Sequence, residues 1–208
     1  MNNKEHSPSN DRLSHLRYRL ALESMQPVTS GVVAGATTDE PQGEVLFTAH
    51  TPPNEGAVLR WLKMATDDVD RAGDRLLLDG VVLEHFTQNP QLLWMHGLTD
   101  EPVHTIGRIR TIVRTDHALY ALAEYADPAI SELARFVERL EAAGLLPANS
   151  VGFEPIECEA NEYGGLDFIK WELVECSKVA LPMNPYAIND SPATSEVSLE
   201  EAAAWIQT

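Results

Sequence analysis

Apolar positions along this chain come in short runs bounded by Gly, Pro, Asn and Asp, a spacing that suits strands better than helices. Residues 57–65 read as one strand, 75–82 as a short second element, and 91–96 as an apolar run that ends on His96. Residues 105–114 alternate Ile106, Arg108, Arg110 and Ile112 against Gly107, Ile109, Thr111 and Val113. With Thr115-Asp116-His117 as the turn and residues 118–126 as the return, this predicts an antiparallel hairpin. Ser150 opens another strand, and residues 168–179 form a further one after a Tyr163-Gly164-Gly165 turn.

Only one stretch has clear helical spacing. Over residues 128–143, Ile130, Leu133, Ala134, Val137, Leu140 and Ala143 form an apolar stripe, with Asp127 as N-cap, Pro128 at the first position and Gly144 as the stop. Residues 1–53 read as an arm rich in Ser, Asn, Pro, Gly and Thr, with Leu13, Leu16, Leu20 and Leu22 marking a short amphipathic helix over 11–25. Residues 188–208 read as an acidic tail, with Ser198 and Glu201 as a capping box. The folded domain is therefore expected over 54–187. Several strands on short turns plus one helix predict a mainly β fold with flanking helices (α+β), an antiparallel sheet or barrel.

Composition narrows the function classes. At 44% hydrophobic and 23% charged the chain is ordinary for a globular domain, and no apolar run approaches the ~20 residues of a membrane span. The polar residues 1–10 lack the apolar centre of a signal peptide. A formal charge of -17 disfavours a nucleic-acid backbone as partner, because phosphates need a basic surface. Two cysteines, Cys158 and Cys176, are too few for a disulfide framework and fit a reducing cytoplasm.

Three segments carry candidate chemistry: Leu93-Trp94-Met95-His96-Gly97, Asn149-Ser150-Val151-Gly152-Phe153 and Glu172-Leu173-Val174-Glu175-Cys176-Ser177. They offer a base (His96), a hydroxyl (Ser150) and a carboxylate (Glu175), the three roles of a serine hydrolase. Alternation sets Ser150 with Gly152, opposite Val151 and Phe153. If the large pair faces the core, Ser150 faces a cleft and Gly152 leaves room for a substrate backbone. Glu175 is expected to share a strand face with Trp171, Leu173 and Ser177. Other histidines (His50, His85, His104, His117) and acids (Glu154, Glu172, Asp116) compete for the supporting roles, His117 above all as the third member. Arg108 and Arg110 could bind substrate carboxylates, although a solvated face is the simpler expectation.

The order His, Ser, acid, with these flanks, resembles the prohead (capsid maturation) proteases of tailed bacteriophages, distant relatives of herpesvirus assemblin. The resemblance spans roughly residues 56–187. It includes Asp70-Arg71-Ala72-Gly73-Asp74 with Asp79-Gly80, Phe86-Thr87-Gln88-Asn89-Pro90 leading into His96, and Ile106-Gly107-Arg108-Ile109. It continues through Ser150-Val151-Gly152-Phe153 and Glu175-Cys176-Ser177 to Leu181-Pro182-Met183-Asn184-Pro185-Tyr186-Ala187. One departure is Cys176-Ser177-Lys178, where the family more usually has a Val-Ser-Leu-Val-like run. The resemblance implies an assemblin-like antiparallel β-barrel and a serine endopeptidase with Ser150 as nucleophile, His96 as base and Glu175 as third member. It needs no cofactor and no metal. Its expected partners are the major capsid protein and/or a scaffold protein as substrates, and a homodimer is allowed because assemblin relatives gain activity on dimerising. Neither nucleic acid nor membrane is expected, and the place of action would be the assembling procapsid in the bacterial host cytoplasm.

Other readings compete. A metal-dependent hydrolase could draw on His85, His96 and His104 with Asp100 and Glu101, but their spacings match no common zinc pattern. Cys176 could be a nucleophile, although strand cysteines usually pack as small apolar groups. From a different class, the chain could be a capsid-assembly or scaffolding protein that kept the fold and lost catalysis.

Overall fold

The computed structural model describes residues 41–100, 104–189 and 196–197. These residues are mainly β. Ten strands form one sheet that curls into a half-barrel: β1 (Glu44–Thr48), β2 (Leu59–Thr66), β3 (Arg75–Leu76), β4 (Val81–Val82), β5 (Gln91–Trp94), β6 (Thr105–Arg114), β7 (Ala118–Tyr125), β8 (Asn149–Ala160), β9 (Leu166–Lys178) and β10 (Glu196–Val197). The helix α1 (Glu132–Ala142) joins β7 to β8.

The path runs β10-β2-β7-β6-β5-β9-β3, with β1 on β6 and both β4 and β8 on β9. The hairpin expected at Thr115-Asp116-His117 is present as antiparallel β6–β7. The hairpin around Tyr163-Gly164-Gly165 is the long antiparallel β8–β9 pair. Against this ribbon, β3, β4 and β5 lie parallel to β9. The strand β9 therefore holds β8 on one side and the end of β5 on the other, which brings residues near 96, 150 and 175 within two strands of one another.

The main core gathers Leu62, Met64, Leu92, Ile106, Ile109, Ile112, Trp171 and Leu173 on one face of the curl, and Ala134 and Val137 of α1 are buried in it. A smaller cluster of Leu59, Trp61, Val113 and Leu122 covers the other face of β2–β7–β6. Central strands buried on both faces cannot show simple alternation.

Several expectations need correction. β1 lies inside the segment expected to be an arm; it pairs with β6 from Glu44 opposite Arg114 to Thr48 opposite Thr111, and Phe47 packs edge-on against Phe86. A five-residue strand beside a Gly-Pro-rich stretch is too short to show periodicity. The helix begins later than Pro128: Ser131 is the N-cap, accepting from Ala134 N at 3.1 Å. Asp127 instead turns the chain, its carboxylate accepting from Ala129 N at 2.7 Å, and Ile130 is left exposed rather than on the inward stripe. Gly144 does close the helix, with φ +70°. The alternation expected along β6 is broken by register shifts near Ile106 and Arg110, so Ile106, Ile109 and Ile112 all reach the main core. The expected helices over 11–25 and after Ser198 lie outside the described residues.

Candidate active site

His96 follows the last residues of β5 in a single 3-10 turn, Met95–Gly97. Met95 (φ +50°) and His96 (φ +58°) are both left-handed, as is Gly97 (φ +68°). Two successive non-glycine residues in that region cost on the order of 1–3 kcal/mol each and persist only where the surroundings hold them. Here the His96 N–H donates to Ser177 Oγ at 3.1 Å, tying the turn to β9.

That placement turns the imidazole onto Glu175. His96 Nδ1 lies 2.6 Å from Glu175 Oε1, with the His96 side chain 31% exposed and that of Glu175 12% exposed. The second carboxylate oxygen accepts from Ser177 Oγ at 2.5 Å. Glu175 is thus held by two groups, and its proximity favours Nδ1 as the protonated nitrogen. Nε2 is left as the nitrogen able to accept a proton.

Ser150 lies on the neighbouring strand. It stands opposite Ser177, and Gly152 stands opposite Glu175, so all four project from one face of the β8–β9 ribbon. Among the described residues no hydrogen bond joins the Ser150 hydroxyl to His96. The structure therefore joins the candidate base and acid directly and sets the candidate nucleophile beside them, one strand away. Val151 and Phe153 pack against the core as expected. The role expected of Gly152 changes, however. A Cβ there would fall 2.5 Å from Glu175 Oε1, so the space is taken by the carboxylate and not left for a substrate backbone.

The strand-face expectation for Glu175 is also corrected. Gly152 pairs with Glu175 but Phe153 pairs with Leu173, an irregularity that inserts Val174. Trp171, Leu173 and Cys176 then face the core, while Glu175 and Ser177 share the opposite face with Ser150. Such a shift leaves no mark in hydrophobic periodicity.

The rival groups are engaged elsewhere. His117 is largely exposed at the β6–β7 turn, with Nδ1 3.4 Å from Asp67. His85 pairs with Glu172, which raises the imidazole pKa, and His104 Nδ1 lies 3.1 Å from Thr99 Oγ1. Glu154 and Asp116 are exposed. The three histidines of the metal reading thus meet three different partners, and Glu101 lies outside the described residues. Burial pushes the Cys176 thiol pKa far up, which leaves it a poor nucleophile. Arg108 and Arg110 are not a solvated pair: Arg108 donates twice to Glu124, at 2.8 and 3.2 Å, and Arg110 is buried 3.4 Å from the same carboxylate.

Ser177, expected on the face of Glu175, is the site residue to which the sequence assigned no role. Its position two residues after Glu175 was the available signal, since alternate residues of a strand share a face.

Two lengths of chain frame the approach to Ser150. Met183 O and Pro182 O accept from Arg71 N (3.1 Å) and Nε (3.0 Å), strapping residues 181–184 to the 70–74 turn. Between them, a cavity of about 170 Å³ is lined by Ser150, Val151, Phe153, Met64, Ala65 and Met183 among others.

No family model and no curated protein matches this chain. None of the helices among the described residues is long and apolar enough to cross a membrane.

Proposed function

We propose that this chain is a serine endopeptidase of the prohead type, built on an assemblin-like β-barrel, that cleaves capsid or scaffold protein during procapsid maturation in a bacterial host. The observation that carries the reading is the 2.6 Å His96–Glu175 contact, set on the same ribbon face as Ser150. In the proposed reaction Ser150 Oγ attacks the scissile carbonyl while His96 Nε2 takes its proton. Glu175 keeps Nδ1 protonated and stabilises the imidazolium that forms. The proton then passes to the leaving amine, and water repeats the cycle on the acyl-enzyme. His96 and Ser150 must close on each other for this, as catalytic contacts often do only with substrate bound.

The missing Ser150–His96 hydrogen bond favours one rival, an assembly protein of the same fold without catalysis. A fluorophosphonate probe separates the two. Wild type should be labelled at Ser150, and Ser150→Ala should fold normally yet neither label nor process the capsid or scaffold protein in co-expression, read by intact mass. Undiminished processing by Ser150→Ala sinks the protease reading.

A further inference from the structure

The cavity beside Ser150 is lined by two kinds of residue. Met64 and Ala65 are fully buried, and Val151, Phe153, Leu76 and Phe168 add apolar surface. Besides Ser150, the polar and charged lining comes from Asp68, Asp70, Asp74, Arg75 and Asn184, of which Asp68 is exposed and the rest half-buried. Most of them already have partners. Asp70 Oδ1 accepts from Ala72 N (2.8 Å) and Asp74 N (3.0 Å), and Asp74 Oδ1 accepts from Leu166 N (2.8 Å). Arg75 is held by Asp167, and Asn184 donates to Thr66 while accepting from Tyr186 N. A polar side chain pressed against Met64, Ala65 and Phe168 would lose its water with no partner among those three side chains, which is costly. An apolar one would gain the burial of its surface.

We propose that this cavity is the specificity pocket of the endopeptidase, taking the side chain on the acyl side of the scissile bond, and that it selects large apolar residues such as leucine, methionine or phenylalanine. The assignment rests on the protease reading above. The acyl-side side chain branches one bond from the carbonyl that Ser150 attacks, so it must come to rest beside the nucleophile. Ser150 itself lines this cavity. Size agrees as well: an apolar cavity of roughly 150 Å³ holds a benzene ring, and this one measures about 170 Å³. A lysine that filled the cavity would press its stem and ammonium against Met64, Ala65 and Phe168, and an aspartate would meet the carboxylates of Asp68, Asp70 and Asp74 in the same lining.

The test uses the full chain and a panel of α-aminoalkyl diphenyl phosphonates bearing leucine, phenylalanine, alanine, lysine or aspartate side chains, with a simple fluorophosphonate as reference. Labelling of Ser150 is followed by mass. The leucine and phenylalanine probes should react at least about tenfold faster than the others, the scale set by a few methylenes in an apolar pocket. Ala65→Val, a strand-compatible change that narrows the cavity, should cut the phenylalanine rate more than the alanine rate. If the fluorophosphonate labels Ser150 but the panel reacts uniformly, favours charged probes or fails to react, the pocket assignment is overturned and the protease reading stands. If no probe, the fluorophosphonate included, labels Ser150, both are overturned. Ala65→Val with an unchanged probe ranking and rate also overturns the assignment.

Discussion

At the scale of single residues, the His96–Glu175 contact depends on an absence, the missing side chain of Gly152. Glu175 Oε1 lies 2.5 Å from where a Cβ would sit, and Glu175 Cγ lies 3.0 Å away. A carboxylate at the end of a flexible side chain can move aside cheaply, so Gly152→Ala should change the melting temperature little. The same movement breaks the contact that orients the imidazole. We expect Gly152→Ala to lower kcat for peptide cleavage by roughly 10²-fold or more, with KM little changed, because an orienting carboxylate acts in the transition state. Activity within twofold of wild type would show that Glu175 does not orient His96. Part of this arrangement was legible beforehand: the three segments with candidate chemistry supply His96 in the turn after β5, Ser150 and Gly152 on β8, and Glu175 on β9. What periodicity could not show was which face each occupies, because the insertion at Val174 swaps faces without altering composition.

Among the elements, α1 is tied to the β8–β9 ribbon by buried charge. Lys178 Nζ is fully buried, 3.4 Å from Glu141 Oε1 and 2.9 Å from Asn149 Oδ1. Glu141 also receives Asn189 Nδ2 at 2.6 Å and the Tyr125 hydroxyl. Burial lowers the Lys178 pKa, and Glu141 opposes that shift. A buried pair of this kind adds little over an apolar substitute, yet removing one partner strands the other and costs about 3–5 kcal/mol. Lys178→Met and Glu141→Gln should each destabilise the fold, and the double variant should be more stable than the sum of the two losses predicts by at least about 1 kcal/mol, measured by urea unfolding. Strict additivity would show that the pair is not coupled. The signal for this link was divided between two places in the sequence. Lys178 carries a charge near the end of the strand expected over 168–179, and Glu141 falls four residues after Val137 on the inward stripe of the helix. Neither names the other, since the pairing depends on how α1 crosses the sheet. The same limit explains β1, which was decided by a partner distant in sequence, β6, whereas the helix start is a local choice between two neighbouring polar residues, the Ser131 cap over the Asp127 turn.

For the whole molecule, the proposed protease reading yields the last prediction, that the chain trims itself. Residues 1–40 are rich in Ser, Asn, Pro, Gly and Thr, and residues 190–208 carry Asp190, Glu196, Glu200 and Glu201 with no Lys or Arg. Both are tethered to the catalytic body, and tethering raises their effective concentration at its cleft. The body sets limits on where cutting can stop. From Glu44 onward the chain is paired in β1, and Gly43 packs so closely on Arg114 that a Cβ there would fall 2.1 Å from its carbonyl oxygen. At the other end Asn189 Oδ1 accepts from Lys63 N at 3.0 Å and from Asn149 Nδ2 at 2.8 Å, so the backbone up to that residue is held in place. A cleft needs an extended, unpaired segment, and paired backbone resists it. Glu196 and Val197 are in turn paired with Arg60 and Leu59, so wild-type protein incubated at high concentration should shorten to products that begin no later than about residue 43 and end no earlier than about residue 197, while Ser150→Ala keeps its full length. Intact-mass analysis over days decides between the outcomes. Products cut within a strand between β1 and β10 would mean that the sheet opens far more readily than its pairing implies. Equal shortening of Ser150→Ala would assign the trimming to another protease.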